Sequence, residues 1–491
     1  MAGRGVGRIL GAGFGLWLAV VPAARSQEAA DAAADEAYFR ALPVYKILVD
    51  RSGPRDGFEM AFRVAGREGR PVMVLLHGIS DTGFSYAGLA RRLDNDFRMI
   101  IVDPPAYGDT FTAKPLDFSY GSQTSRLRAL LEAVGALNGA VFVGHSTGGG
   151  LAWHLSLEPG VHRAGLVLID AITVEYDLPA RTRLAYILAK HHSFSGPLFN
   201  LIGPGTIAGI IARESAAPGF RLSETSRLIQ SALFTTPARL RVNALWASQL
   251  LDFKTVKAWA PRLREISVPT LLLWGEDDAV LKLRFMEKAQ KQIPGAQSAV
   301  IRRAGHSPHV EKPADAADRI RTFAAGLAAP AGALTPGSQV RVAAPGEIAK
   351  RPQELRGSMV HLTFSVSRYG ESGIADAAGI HLKRGYYSTD YPSQSGSAGL
   401  FLEGLHWDGG QPLFAGYQVE LVWYKAGGFR FAQGWSVAGA RKTASLITLG
   451  YVPSYVPWVC LGVRWIGPRA KAGFFVTLEL APLLDKAFLF W

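Results

Sequence analysis

The sequence predicts two structural classes in succession: a doubly wound, mostly parallel α/β sheet with a helical cap, then an all-β, sandwich-like domain. Three observations carry this. Short, uninterrupted apolar runs alternate with segments of helical period from Pro71 to Ile301. About a hundred residues with apolar positions at helical spacing interrupt that alternation between Asp170 and Thr270. Beyond residue 346 the apolar period falls to two. The expected organisation is a leader over 1–26, an α/β domain over 40–327 with its cap at about 172–266, a linker over 328–346 and a β-rich domain over 347–491.

Arg4 and Arg8 precede the apolar run from Ile9 to Ala23, and the small residues Ala24 and Ser26 lead to a cut before Gln27, the pattern of a Sec-type signal. The run is shorter than the ~20 residues that a helix needs to cross a bilayer. Neither an Arg-Arg pair nor a cysteine stands by the cut, which argues against twin-arginine and lipoprotein export. A periplasmic or extracellular location follows. Cys460 is the single cysteine, so no internal disulfide forms and both domains stand on their cores. Loss of Arg4, Arg8 and Arg25 with the leader takes the formal charge from +13 to +10. No block of consecutive Lys and Arg concentrates it, so it reads as solvated surface, and no nucleic-acid partner is expected. Residues 27–40, rich in Ala and acids, read as a tether.

Pro71 to Leu76, Arg98 to Val102, Ala140 to Val143, Gly165 to Ile169 and Thr270 to Trp274 are predicted as buried parallel strands. A strand covered on both faces is apolar throughout rather than at alternate positions. Leu127, Leu130, Leu131 and Val134 stand at helical spacing between Ser122 and Leu137. A parallel crossover needs only a dozen or two residues. The long segment before Thr270 is therefore an insertion, with helices expected at Arg183 to Leu188 and Ala244 to Leu251.

Chemistry concentrates at three strand ends. Gly144-His145-Ser146-Thr147-Gly148 follows the third of these strands, and G-x-S-x-G at such a reversal lifts the serine hydroxyl clear of the sheet. Gly275-Glu276-Asp277-Asp278 and Gly305-His306 then bring an acid and a histidine in the order Ser…Asp…His. Earlier, Val72 to Leu76 runs into His77-Gly78-Ile79, and Asp103-Pro104-Pro105-Ala106-Tyr107-Gly108-Asp109-Thr110 closes the next strand. Together these resemble the α/β-hydrolase family over roughly residues 45–327, in particular its capped single-domain esterases and related C–C-bond hydrolases. The run Gly-His-Ser-Thr-Gly-Gly-Gly also resembles the elbow of cofactor-free haloperoxidases and perhydrolases.

The resemblance implies Ser146 as nucleophile, His306 rather than His309 as base, and Asp278, three residues after Gly275, rather than Asp277 as acid. It implies the N–H groups of Ile79 and Thr147 as the oxyanion hole. The expected activity is hydrolysis of a small-molecule carboxylic ester or related acyl substrate through an acyl-enzyme on Ser146, with no cofactor and no metal. The alternatives are C–C-bond hydrolysis or perhydrolase chemistry on the same triad, or a binding scaffold with an inactive hydrolase domain. A serine at the elbow argues against the dehalogenase and epoxide-hydrolase branches, which need a carboxylate there. Ala106 departs from the family, which usually has glycine at that place. His145, His191 and His192 are scattered without metal-ligand spacing, and Gly148-Gly149-Gly150 lacks the Lys-Ser/Thr of a phosphate loop.

Residues 331–491 hold 23 of the 51 aromatics. Val360, Leu362, Phe364 and Val366 alternate with polar residues, as do Tyr417, Val419, Leu421 and Trp423, and Gly427-Gly428 leads into Phe429 and Phe431. This predicts antiparallel hairpins. Trp407, Trp423, Trp435, Tyr451, Tyr455, Trp458 and Trp465 are expected to fill a sandwich core, with contact to carbohydrate or a membrane surface as the alternative. The ending Ala487-Phe488-Leu489-Phe490-Trp491 is similar to that of outer-membrane barrels, but Pro482 and Asp485 interrupt it and favour the sandwich.

Overall fold

The computed structural model describes residues 30–49, 59–110, 116–184, 204–232, 237–327, 334, 337, 339–344 and eight strands between 356 and 479. The leader with its cut at Gln27, the segment 185–203 with His191 and His192, and most of the linker lie outside the described residues. So do Trp407, Tyr455, Trp458 and the aromatic ending Ala487–Trp491.

The α/β region is built on β1 (Val44–Leu48), β2 (Glu59–Ala65), β3 (Val72–Leu76), β4 (Arg98–Asp103), β5 (Val141–His145), β6 (Gly165–Ile169), β7 (Thr270–Gly275), β8 (Gln297–Ile301) and β9 (Val340–Val342). They form one sheet in the order β8-β7-β6-β5-β3-β4-β2-β1-β9. The pairs from β4 through β3 to β8 are parallel, whereas β2 on β4, β1 on β2 and β9 on β1 are antiparallel. The five runs expected as parallel strands all sit in the parallel part. Their uniform apolarity has the expected cause. Met73, Leu75, Val141, Val143, Val167, Ile169, Leu271 and Leu273 face one core with Leu89, Leu93, Ile320 and Phe323, while Val74, Phe142, Leu168 and Leu272 are equally buried at the intervening positions. Helix α2 (Ala87–Leu93) lies between β3 and β4, the helix expected at Ser122 to Leu137 is α3 (Tyr120–Ala133), and α4 (Thr147–Ser156) follows β5.

Two expectations need correction. Residues 30–41 form a helix, α1, rather than a tether. Its Asp35 pairs with Arg91 at 2.5 Å and Arg92 at 3.1 Å, and its Phe39 joins the core edge-on to Phe84. Within the expected linker, β9 extends the sheet. Ala343 N–H donates to Val44 O at 2.8 Å, and Arg341 pairs with Glu59. Composition hid both, since Ala, Pro and Gly dominate the linker and a three-residue edge strand shows no period.

Among the described residues of the insertion between β6 and β7, helices run over Pro204–Ser215, Glu224–Ala232, Pro237–Leu250 and Phe253–Trp259. Compactness divides the chain into two units, one of Met1–Thr182, Ile211–Ile229 and Leu245–Arg351, the other of Arg183–Ile210, Gln230–Ala244 and Pro352–Trp491.

The C-terminal strands β10 (Arg356–Arg368), β11 (Ile374–Tyr387), β12 (Ser395–His406), β13 (Leu413–Trp423), β14 (Gly427–Ala438), β15 (Ser445–Val452), β16 (Val459–Ile466) and β17 (Lys471–Glu479) form a closed antiparallel barrel. Each pairs with the next, and β10 closes on β17. The domain is all-β as expected, but it is a barrel and not a sandwich. Period-two patterning is common to both, and closure is a property of register that it does not encode. The aromatic-core expectation also fails where it is described: Trp435 and Tyr451 are 46% and 41% exposed.

Candidate active site

The reversal from β5 into α4 is made by Ser146, whose φ of 53° and ψ of −119° lie where a non-glycine residue is strained. The strain is held from both sides. Ser146 N–H donates to Ile169 O at 3.0 Å, and Ser146 O accepts from Gly150 N–H and Ile172 N–H. The flanking glycines follow from close approach. A Cβ on Gly144 would lie 2.4 Å from Gly148 O, and one on Gly148 would lie 2.2 Å from Leu76 O.

The loop after β8 carries His306 to this serine. His306 Nε2 lies 3.1 Å from Ser146 Oγ, and its Nδ1 lies 2.8 Å from Asp278 Oδ2. Asp278 Oδ1 accepts from the N–H groups of Val280 and Leu281 at 2.7 and 2.8 Å. Asp277 is exposed, its N–H donating to Ala304 O, so the structure brings Asp278 and not its neighbour to the histidine. Burial alone would raise the Asp278 pKa, but the charge and hydrogen bond of His306, with hydrogen bonds from Asp170 and Leu281, hold it below the usual carboxylate range.

Sequence reasoning passed over Asp170, which directly follows β6. Its carboxyl, fully buried, accepts from Gly275 N–H at 3.0 Å and is hydrogen-bonded to Asp278. Burial, then the charge of Asp278, pushes its pKa well above the carboxylate range, so it is the proton-holding member of the pair. Glu311 was missed as well. Its Oε2 accepts from Gly305 N–H and Ala217 N–H, both at 2.9 Å, and Oε1 accepts from Ser307 N–H. With His306 N–H donating to Ser215 O at 2.7 Å, it ties the histidine loop to the end of an insertion helix. The only sequence signal for Asp170 was an acid at the C-terminal end of a buried strand, the position at which such folds place ligands and catalytic groups.

The remaining predicted residues stand close by. Gly78 packs so near that a Cβ there would lie 2.8 Å from Ser146 Cβ, which sets the His77-Gly78-Ile79 turn against the serine. Thr147 opens α4, where first-turn N–H groups lack an intrahelical acceptor. His77 is buried beside Asp103 at 3.5 Å. Burial lowers its pKa, but the hydrogen bond and charge of Asp103 outweigh that and raise it. Ala106 has φ 91°, so the backbone keeps the conformation that the family's glycine would take freely. Trp246 packs edge-on at 5.0 Å on Tyr107, itself edge-on to His77.

The histidines scattered along the chain are not all scattered in space. The rings of His145 and His309 lie 4.6 Å apart, tilted at 52°, and with Asp81 their ligand-type atoms lie within 4.8 Å of one another. Burial lowers both imidazoles, His309 to about 3, and leaves them neutral. His309 is thus packed, and His145 Nε2 meets His306 O at 2.7 Å behind the triad.

A doubly wound sheet with Ser, His and Asp converging at its strand ends defines the class. Residues 73–319 match the alpha/beta hydrolase family, and the chain belongs to it; it is a hydrolase of that fold. An uncharacterised protein of Mycobacterium tuberculosis is 27% identical over 278 residues, 54% of this chain and 78% of that one. The monoacylglycerol lipase abhd6-B of Xenopus laevis is 23% identical over 55% of this chain and 80% of its own length. Among solved structures, an esterase from Thermogutta terrifontis has a TM-score of 0.47 at 24% identity, covering 57% of this chain and 96% of that chain.

Proposed function

We propose that this chain is an exported serine hydrolase that cleaves a carboxylic ester, or a related acyl bond, through an acyl-enzyme on Ser146. The carrying observation is the unbroken line from Ser146 Oγ to His306 Nε2 to Asp278, at 3.1 and 2.8 Å, on a strained elbow. A serine hydroxyl is a weak nucleophile alone. His306 Nε2 takes its proton as Oγ attacks the acyl carbon, and Asp278 holds the ring's other N–H and stabilises the imidazolium. The N–H groups of Ile79 and Thr147 receive the oxyanion. His306 returns the proton to the departing alkoxide, then activates water to free the acid. The relative named as a monoacylglycerol lipase is consistent with an ester substrate. The assembled triad favours catalysis over a scaffold role, and the basic-apolar leader supports export.

A panel of p-nitrophenyl esters of increasing chain length, run beside a fluorophosphonate label, tests this reading. Wild type should turn over at least one ester and take the label. Ser146→Ala should lose both, on the order of 10⁴-fold in rate or more, because the triad acts as a unit. A variant that keeps more than about a tenth of the wild-type rate removes Ser146 as nucleophile.

A further inference from the structure

The barrel is built inside out for a water-soluble domain. On β14, Phe429 and Phe431 are exposed, while Arg430 and Ala432, which alternate with them, are buried. On β15, Leu449 and Tyr451 are exposed, while Thr448 and Gly450 are buried. Register extends these faces across strands. Gln418, Ala432 and Thr448 form one inward rung over β13, β14 and β15, and Val419, Phe431 and Leu449 form the next rung outward. On β12, Leu400 is 65% exposed beside buried Phe401. Phe401, Phe414 and Leu446 share the interior with the polar groups, so the lumen is mixed, whereas the outside is predominantly apolar.

We infer that this barrel is embedded in a lipid bilayer, with the hydrocarbon chains covering its outer face. The apolar exterior follows four successive strands, half of the closed circuit, and a fluid solvent covers such a curved surface where a single rigid partner covers one side. Contiguous exposed apolar area beyond a few hundred Å² is uncommon on soluble monomers. Strands of 8 to 14 residues bracket the roughly 9–11 residues that a tilted membrane strand needs. Closure satisfies every backbone group without an edge, the condition a bilayer imposes. Tyr417 and Trp435 pack at 6.4 Å near one end of the described exterior, Tyr451 stands near the other, and Tyr417 Oη meets Gln433 Oε1 at 2.7 Å. Aromatic rings with polar tips suit the two bilayer surfaces. The anchor is thus a barrel and needs no long apolar helix.

The full-length chain, folded from urea into didecanoylphosphatidylcholine vesicles, gives the test. It should float with the vesicles, resist extraction at alkaline pH, and migrate faster unheated than boiled on SDS gels. Leu449→Arg, which puts a charge on the outer face, should lower the insertion equilibrium constant, read from insertion across a urea series, on the order of 10²-fold. Thr448→Val, one residue away but inward, should insert within about threefold of wild type. Turnover of a soluble ester by each variant reports that the catalytic unit is folded. A chain that stays in the aqueous fraction without detergent, as monomer or as dimer, overturns the proposal. So does equal insertion of Leu449→Arg and wild type.

Discussion

Asp170 offers the sharpest test of the candidate site, because two carboxyls side by side cannot both serve as anions. Asp170 is fully buried, accepts from Gly275 N–H, and shares a hydrogen bond with Asp278, which in turn meets His306. With its pKa pushed up by burial and by the Asp278 charge, it gives its proton to that bond. Asp170→Asn keeps both roles, since the amide N–H₂ donates to Asp278 and its carbonyl accepts from Gly275, so kcat should stay within about threefold. Asp170→Ala removes a donor from a buried charged acceptor, worth about 1.5–3 kcal/mol. At 1.36 kcal/mol per decade that is a fall in kcat of roughly 10- to 100-fold. Asp278→Asn should be far worse than either, while Asp277→Asn should be nearly silent. The pH dependence has a definite sign. A carboxyl whose pKa is raised on folding contributes most below its unfolded value and loses that contribution as pH rises through its folded value. The Tm of Asp170→Asn should therefore gain on wild type as pH climbs from about 4 towards alkaline values. Esterase rates and thermal melts across pH decide it. Should Asp170→Asn be as crippling as Asp278→Asn, Asp170 is an ionised working acid and the assignment fails.

Three further outcomes are expected. Ala106→Gly relieves a residue at φ 91° and should raise stability by about 1 kcal/mol without changing kcat, as read by urea unfolding; destabilisation would show that the methyl packs better than the backbone is strained. His154, stacked on Tyr120 and packed against the tilted rings of Trp153 and Trp259, has a pKa lowered to about 2 by burial, so it contributes stability above the unfolded value that is lost as pH falls. Its share is about 2 kcal/mol between pH 7.5 and 5, and His154→Phe should flatten the acid decline in unfolding free energy, read by urea titration, by that amount. A chain ending after Ala344 keeps β9, and should stay soluble and cleave a short ester at close to the full-length rate; aggregation or inactivity would show that the catalytic unit depends on the C-terminal residues.

What the sequence revealed and what it hid divide along physical lines. Ser146 was legible because its elbow is local, a strand, a serine and glycines within a few residues. His306 and Asp278 were legible through order and spacing, and the geometry separates Asp278 from exposed Asp277. Asp170 and Glu311 were not, because their partners Gly275 and Ala217 lie 105 and 94 residues away. In the C-terminal region, alternation was correctly seen, but period two does not say which face is inside. The expectation that apolar residues turn inward reversed at Phe429, Phe431 and Leu449, and with it the sandwich reading.

The short pairing of β9 on β1 has a consequence for the margin of the sheet. Without it β1 would be the last strand, with one row of backbone groups open along its side. Three residues take up that side, Ala343 N–H donating to Val44 O and Arg341 pairing with Glu59. An open strand edge is a template on which another chain can pair, and a very short strand bearing a charge is a poor one. The clasp therefore guards the catalytic unit against edge-to-edge association, and a chain cut before Val340 would lay that template bare.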